Sequence, residues 1–212
     1  MPRLRGSGLA NAQPRSDRLA GLVLAGGRAN RFGAEKALAL LGRQSLLSRA
    51  VAALAFATPN IAVSAPAGSE TEIRALATDL PVVRDRGAFA RVGPLAGVLS
   101  GLEWARSLRA DWLVTLPCDV VFVPADALEA LVQMPRAAYV ATKRGAESLC
   151  ALWPVSCAAM LEQALSQGDH PPVRDFLRTL NATEVFVEGD DVFFNINTRE
   201  DLARAEAILS RA

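Results

Sequence analysis

The chain of 212 residues has few of the residue types from which familiar catalytic sites are built: one histidine, one tyrosine and three cysteines. A single histidine, His170, excludes a zinc site with several histidines and leaves little room for a serine–histidine–aspartate mechanism. Cys118, Cys150 and Cys157 form no Cys-x-x-Cys pair, and their odd number argues against a disulfide framework. Any chemistry must therefore use carboxylates, lysine, arginine, amides, backbone groups or a bound metal.

The sequence also lacks a large excess of positive or negative charges, and it lacks long apolar runs. The 23 lysines and arginines are balanced by 22 aspartates and glutamates, which leaves a net charge of +1. No bulk positive field therefore favours nucleic-acid binding. No apolar run reaches the ~18 residues that are needed to span a bilayer. We expect neither nucleic acid nor membrane as a partner, and a cytoplasmic location.

The first 18 residues contain four arginines but no hydrophobic segment, so they do not resemble a secretory signal. Their glycine, proline, serine and asparagine content is typical of a flexible arm. A basic arm that touches a partner is the alternative. Since residues 19–212 show no repeat, linker or low-complexity segment, we predict an arm at 1–18 and a single domain at 19–212.

Short apolar runs alternate with amphipathic segments along this domain. Strands are predicted at 19–25, 60–65, 81–84, 112–116, 137–142, 148–153 and 183–187. Helices are predicted at 45–56, 69–78, 95–108, 125–133, 155–167, 171–180 and 198–210, and the apolar residues at 95, 98, 99 and 102 have the spacing of one buried helical face. This alternation predicts an α/β fold, a Rossmann-like three-layer sandwich with a mostly parallel sheet and helices on both faces. In such sheets, ligands bind at the carboxyl ends of the strands.

The loop after the first predicted strand combines glycines with two cations. Gly26 and Gly27 allow backbone N–H groups to face an anion. Arg31 and Lys36 add the positive charge that phosphates require. The segment matches neither GxGxxG nor GxxxxGK[ST]. A glycine-rich turn without a ligand is the structural alternative, but glycines together with an arginine and a lysine favour a phosphate site.

Two further predicted strands lead into carboxylates, Asp85 and Asp119. A lone aspartate in this position is ordinarily a turn or capping residue. The functional alternative is that the carboxylate of such an aspartate holds Mg²⁺ against nucleotide phosphates. Cys118, beside Asp119, is interpreted as a packing residue without redox chemistry, because no partner cysteine is near it in the sequence.

Near the C-terminus, Asn195 and Asn197 lie two residues apart, so an extended segment presents both amides on one side. Amides can orient a polar ligand without adding charge. The following residues, Thr198 and Asp201, resemble a capping box at the start of the last helix.

In this order and spacing, LAGG…RFG…K, PCD and NINT resemble the nucleotidyltransferases that make NDP-sugars and related conjugates, and specifically the molybdenum cofactor guanylyltransferases. The resemblance covers residues 19–210 and implies the nucleotide-diphospho-sugar transferase fold. Where the family loop carries R-M-G, an aspartate and lysine, this chain has Phe32 for the methionine and Glu35 for the aspartate.

The resemblance also implies substrates and residue roles. GTP and molybdopterin would be the substrates, with Mg²⁺ or Mn²⁺ held by Asp119, and Arg31, Lys36 and Asp119 would be catalytic. Residues implied in nucleotide binding are Leu24, Ala25, Gly26, Gly27, Lys36, Ser64, Asp85, Gly93, Pro94, Leu95 and Asp119. Residues implied in acceptor binding are Arg174, Asn195 and Asn197. Partner proteins would deliver molybdopterin or be the molybdoenzymes that accept the product.

Guanine is preferred over cytosine because the cytidylyl relatives have LAAG and lack GPLAG, which this chain carries at 93–97. The chain also departs from the family pattern: Ser64 stands for an asparagine, Glu147 and Ser148 for a histidine and proline, and Arg199 for a proline. Two alternatives remain open. One is a cytidylyl or sugar-1-phosphate nucleotidyltransferase of the same fold, and the other is a nucleotide-binding partner protein without activity. The sequence indicates no oligomeric state.

Overall fold

Buried strands alternate with helices along the chain. The structure, a computed structural model, describes residues 18–26, 35–89, 93–168 and 170–211. The strands are β1 (Leu19–Leu24), β2 (Leu40–Leu41), β3 (Gln44–Ser45), β4 (Ile61–Ser64), β5 (Val82–Val83), β6 (Trp112–Pro117), β7 (Val120–Val121), β8 (Ala138–Thr142), β9 (Gly145–Pro154), β10 (Thr183–Phe186) and β11 (Phe194–Asn195). The helices are α1 (Leu46–Ala55), α2 (Glu70–Leu76), α3 (Pro94–Ser107), α4 (Ala125–Val132), α5 (Ala158–Ser166), α6 (Val173–Thr179) and α7 (Arg199–Leu209).

The central sheet has the strand order β10-β8-β9-β6-β1-β4-β5. β1 lies parallel between β4 and β6, and β4 with β5 and β8 with β10 are also parallel pairs. β9 is antiparallel to both of its neighbours, β6 and β8. All six residues of β1 are buried, as expected for a parallel strand between two helical layers. The predicted mostly parallel α/β sheet is confirmed.

Helices cover both faces of this sheet. α1, α2 and α4 contribute to a hydrophobic cluster on one face, and α3, α5 and α6 contribute to a cluster on the other. The predicted buried face of α3 is confirmed, since Leu95, Val98, Leu99 and Leu102 are each at most 3% exposed. Two packed layers against one sheet give the three-layer sandwich predicted from the sequence.

A third, smaller cluster lies around the hairpin β2–β3, the pair β7–β11 and helix α7. Its buried members include Leu41, Val121, Phe194 and Ile196. The four short strands of this cluster, β2, β3, β7 and β11, were not predicted. The capping box of α7 is confirmed: the Thr198 side chain accepts from the N–H of Asp201, whose carboxylate accepts from the N–H of Thr198.

The boundaries of the predicted elements differ from the observed ones by a few residues. The strand predicted at 148–153 is longer, because β9 begins at Gly145 in a tight hairpin with β8. The helix predicted at 155–167 begins later, since Val155–Cys157 form a 3₁₀ turn before α5.

Arg18, the last residue of the predicted arm, forms an ion pair with Asp111, with 2.6 Å between Arg18 Nη2 and Asp111 Oδ1. The predicted division into arm and domain stays a prediction. In the described part of the chain, no helix is both long and apolar enough to cross a membrane.

Candidate active site

A cleft of about 1240 Å³ follows the carboxyl edge of the sheet. Residues from the ends of β1, β4, β5 and β6 line it, together with the beginning of α3 and part of β9. This is the edge at which open α/β sheets bind ligands. The volume exceeds the range of roughly 300–1,000 Å³ that is usual for pockets holding one small molecule. The cleft therefore has room for two substrates side by side.

The central charged contact of the cleft joins Lys36 and Asp119. Lys36 Nζ lies 2.5 Å from Asp119 Oδ2 and donates a second hydrogen bond to Asn197 Oδ1 at 3.2 Å. The two charged side chains are 21% and 22% exposed. The sequence placed these three residues in separate motifs, and the fold brings them into one cluster.

Two local features hold this pair in place. Lys36 begins a short 3₁₀ turn whose next residue, Ala37, is buried in the core. Asp119 is the second residue after β6, and its carbonyl accepts a hydrogen bond from the N–H of Ile196 at 2.9 Å. That bond continues the β7–β11 pairing and draws the segment with both asparagines toward the aspartate.

The donor set around Asp119 suits magnesium better than a metal with a closed shell of protein ligands. Among the described residues, no group of three or more histidines, cysteines, aspartates and glutamates could hold a metal ion. Mg²⁺ usually takes one or two carboxylates, and substrate phosphates and water complete its shell. A single carboxylate that faces a cleft with room for phosphates meets that requirement. A structural zinc site would need more protein ligands.

One wall of the cleft is built around Gly97 of α3. A Cβ at this position would lie 3.0 Å from Ser64 Oγ, 3.3 Å from Leu24 Cδ2 and 3.7 Å from Asp85 Oδ1. The strand ends therefore converge on a glycine, and a side chain there would crowd them. Gly93, just before α3, has φ of 132°, a conformation that favours glycine.

The opposite wall contains Glu147 and Asn195. Asn195 Nδ2 donates to Glu147 Oε2 at 3.0 Å, and both residues line the cleft. Sequence reasoning recognised Glu147 only as a departure from the family pattern and did not place it in the site. The signal that could have found it is this departure itself, a carboxylate three residues before the buried run of β9 that begins at Cys150.

The described cleft brings together most of the residues that the resemblance implied. Those that line it are Leu24, Ala25, Gly26, Lys36, Ser64, Asp85, Gly93, Pro94, Asp119 and Asn195. Asn197 is connected to the cleft by the hydrogen bond that it accepts from Lys36. Leu95 belongs to the buried core of α3, and Arg174 is exposed on α6 beside Val173, which lines the cleft. Gly27 and Arg31 lie outside the described residues.

Two acidic residues of the site, Glu35 and Glu147, were not among the implied site residues. Glu35 lines the cleft next to Lys36, but its carboxylate accepts hydrogen bonds from the beginning of α2. No local sequence pattern predicts this contact, because the partners of Glu35 lie about 35 residues further along the chain.

The fold and the cleft define the class of the protein. A mostly parallel sheet whose carboxyl edge carries a lysine and an aspartate, in a cleft wide enough for two substrates, fits a nucleotidyltransferase. The sequence model of the "MobA-like NTP transferase domain" matches residues 21–185, and the chain belongs to this family. The family resemblance drawn from the motifs is confirmed.

Two relatives are similar in sequence to this chain over most of its length. The molybdenum cofactor guanylyltransferase of Rhizobium johnstonii is 38% identical over 200 residues, which cover 89% of this chain and 91% of the relative. A protein of the same name from Cereibacter sphaeroides is 36% identical over 197 residues, which cover 92% of this chain and 98% of the relative.

Solved structures share the fold. Molybdopterin-guanine dinucleotide biosynthesis protein A from Archaeoglobus fulgidus superimposes with a TM-score of 0.70 at 25% identity and covers 91% of this chain and 100% of its own. A nucleotidyl transferase from Methanothermobacter gives a TM-score of 0.71 at 20% identity, with 92% and 98% coverage. The predicted nucleotide-diphospho-sugar transferase type of fold is confirmed.

The cysteines take no part in the charged cluster. Burial, and then the charge of Asp119, raise the pKa of Cys118 to about 12. Burial also raises the pKa of Cys157 to about 12 and that of Cys150 well above its usual value. The thiolate is the nucleophilic form, so these thiols are inert near neutral pH. This agrees with the interpretation of Cys118 as a packing residue.

We expect alkylation by iodoacetamide at pH 8 to be at least about 100-fold slower in the folded protein than in urea, because raised pKa values remove the thiolate. Mass spectrometry of quenched samples measures labelling at each cysteine. Rapid labelling of Cys118 in the folded protein would contradict this description of the cleft.

Proposed function

We propose that this protein transfers GMP from GTP to the terminal phosphate of molybdopterin, forms the guanine dinucleotide and releases pyrophosphate. The observation that carries the proposal is the Lys36–Asp119 pair, which lies in a cleft with room for two substrates at the carboxyl edge of the sheet. The names of the relatives, molybdenum cofactor guanylyltransferase, support the choice of substrates.

The reaction needs little from the protein beyond placement and charge. An oxygen of the acceptor phosphate attacks the α-phosphorus of GTP and forms a P–O bond, while the bond from the α-phosphorus to the leaving pyrophosphate breaks. The attacking oxygen is already ionised, so no general base is required. This agrees with a chain that has a single histidine. The barrier comes mainly from bringing anions together, and positioning with charge neutralisation lowers it.

The residues of the central cluster divide these tasks. Lys36 carries three N–H donors, of which Asp119 and Asn197 engage two, and we assign it to the phosphates of GTP. Asp119 would hold Mg²⁺, and Mg²⁺ bound there would add positive charge beside the phosphates. Asn197 Oδ1 accepts the second hydrogen bond of the lysine and so orients its ammonium group.

The two walls of the cleft would receive different substrates. The wall around Gly97, with Ser64 and Asp85, is assigned to the nucleotide, and the wall with Asn195 and Glu147 is assigned to molybdopterin. Leu24, Ala25, Gly26, Gly93 and Pro94 complete the nucleotide side. Roles for Gly27, Arg31, Leu95 and Arg174 stay predictions from the family resemblance. The proposed location is the cytoplasm, with partners that deliver molybdopterin or receive the product.

Pyrophosphate release with molybdopterin and Mg²⁺ tests the proposal when GTP, CTP, UTP and ATP are compared in parallel. We expect GTP to be the preferred donor by at least about tenfold in kcat/KM, a factor that corresponds to ~1.4 kcal/mol. Preference for CTP would contradict guanylyl transfer. GTP binding without pyrophosphate release would favour the nucleotide-binding partner protein.

Lys36→Ala and Asp119→Ala should each lower turnover by at least ~10²-fold, the scale of losing one preorganised charge-stabilising group. The control is the ion pair of Lys143 and Asp190, which has the same residue types and a distance of 3.3 Å, with side chains 63% and 87% exposed. Exposed pairs contribute about 0–1 kcal/mol to stability, so Lys143→Ala and Asp190→Ala should retain normal turnover. Near-normal turnover in either cleft variant contradicts the assigned roles.

A further inference from the structure

Glu35, the residue before Lys36, joins the lysine segment to helix α2. Its Oε1 accepts a hydrogen bond from the N–H of Glu70 at 2.7 Å, and its Oε2 accepts one from the N–H of Thr71 at 2.6 Å. The hydroxyl of Thr71 also donates to Oε2. One half-buried carboxylate thus receives three donors from the beginning of one helix.

This contact provides acceptors for backbone N–H groups at the beginning of α2. The first N–H groups of an α-helix have no partner inside the helix and require acceptors from outside. Ser69, the N-cap, accepts from the N–H of Glu72 at 3.1 Å. Glu35 supplies acceptors to the two N–H groups between them. The start of α2 and the segment before Lys36 are therefore complementary, although they lie far apart in the chain.

The same contact fixes the backbone from which Lys36 extends. On the other side of Lys36, Ala37 is 3% exposed within the core. The N–H of Leu38 donates to the carbonyl of Glu35 at 3.0 Å, and the N–H of Ala39 donates to the carbonyl of Lys36 at 3.0 Å. Lys36 therefore projects toward Asp119 from a turn that is anchored at both ends.

Helix α2 reaches the nucleotide wall as well. Glu72 accepts from the N–H of Gly68 and forms an ion pair with Arg84, the neighbour of Asp85. These contacts, with the Gly68 N–H as the larger contribution, lower the pKa of Glu72. The helix that receives Glu35 is thus itself tied to the strand end that carries Asp85.

We propose that Glu35 is a positioning residue, which holds the ammonium of Lys36 at the phosphate site by binding the beginning of α2. The inference rests on the proposed function, in which Lys36 contacts the phosphates of GTP. Its physical basis is preorganisation: a side chain that is already held where charge must be neutralised needs no ordering when the substrate binds.

A double-mutant cycle of Glu35→Gln with Lys36→Ala tests this role. Gln keeps the length of the side chain but loses its charge and one acceptor oxygen. We expect Glu35→Gln alone to lower kcat/KM for GTP by about 10- to 100-fold, as misplacement of a catalytic group does. It should weaken binding of GTP but not of guanosine, which has no phosphate. In the Lys36→Ala background, Glu35→Gln should cause no further loss, because residues that act through one another are non-additive.

Glu70→Gln is the matched control. It removes the same charge from an exposed side chain that is adjacent to the contact, and it leaves the backbone N–H in place. It should leave kcat/KM within about twofold of the unmodified protein. Thr71→Val provides a second route if Glu35→Gln does not fold. It removes only the hydroxyl donor, so a smaller loss in the same direction is expected, and this loss should also vanish in the Lys36→Ala background.

Three results would overturn the inference. Normal GTP affinity and turnover in Glu35→Gln, with a large loss in Lys36→Ala, would refute the positioning role and leave the proposed function intact. An undiminished effect of Glu35→Gln in the Lys36→Ala background would show that Glu35 acts independently of the lysine. Normal turnover in Lys36→Ala would refute both the positioning role and the assignment of the lysine.

Discussion

The ion pair between Lys36 and Asp119 is the contact on which the rest of the site depends, and the fold is arranged to make it. The two residues are 83 positions apart and follow different strands. β1 and β6 are parallel neighbours with Leu24 opposite Pro117, so both strands end at the same level of the same edge. The segments that leave these ends therefore start side by side, and opposite charges meet in a half-buried cleft. Partial burial strengthens such a pair relative to an exposed one, because less water screens it.

Three peripheral elements converge on this pair. The β7–β11 ladder brings Asn197 against Lys36, and the capping box of α7 holds the asparagine segment, since Asp201 accepts from the N–H groups of Asn197 and Thr198. These N–H groups, that of Asn197 first, lower the pKa of Asp201. From the other side, Glu35 ties the lysine segment to α2. A small hydrophobic cluster beside the main sheet thus serves to place polar groups in the cleft.

Much of this arrangement could be predicted from the sequence. Periodicity predicts the main strands and helices, and because ligands bind at strand ends, the segments that carry Lys36 and Asp119 are predicted to form the site. The contacts that position these residues could not be predicted. Strands β7 and β11 are two residues long, and the partners of Glu35 and Glu147 lie about 35 and 48 positions away. Such contacts follow from the tertiary fold and leave no local pattern. Glu35 could be recognised from the sequence only as a substitution for an aspartate, because its three hydrogen bonds to α2 exist only in the folded chain.

Asp119 and Lys36 together are proposed to receive a metal-bound triphosphate. Calorimetric titration of GTP with and without Mg²⁺ tests this claim most directly when the unmodified protein, Asp119→Asn and Asp190→Asn are compared. We expect Mg²⁺ to strengthen GTP binding by at least about tenfold in the unmodified protein and in Asp190→Asn, and we expect Asp119→Asn to lose this gain. An equal gain from Mg²⁺ in Asp119→Asn would contradict the role of Asp119.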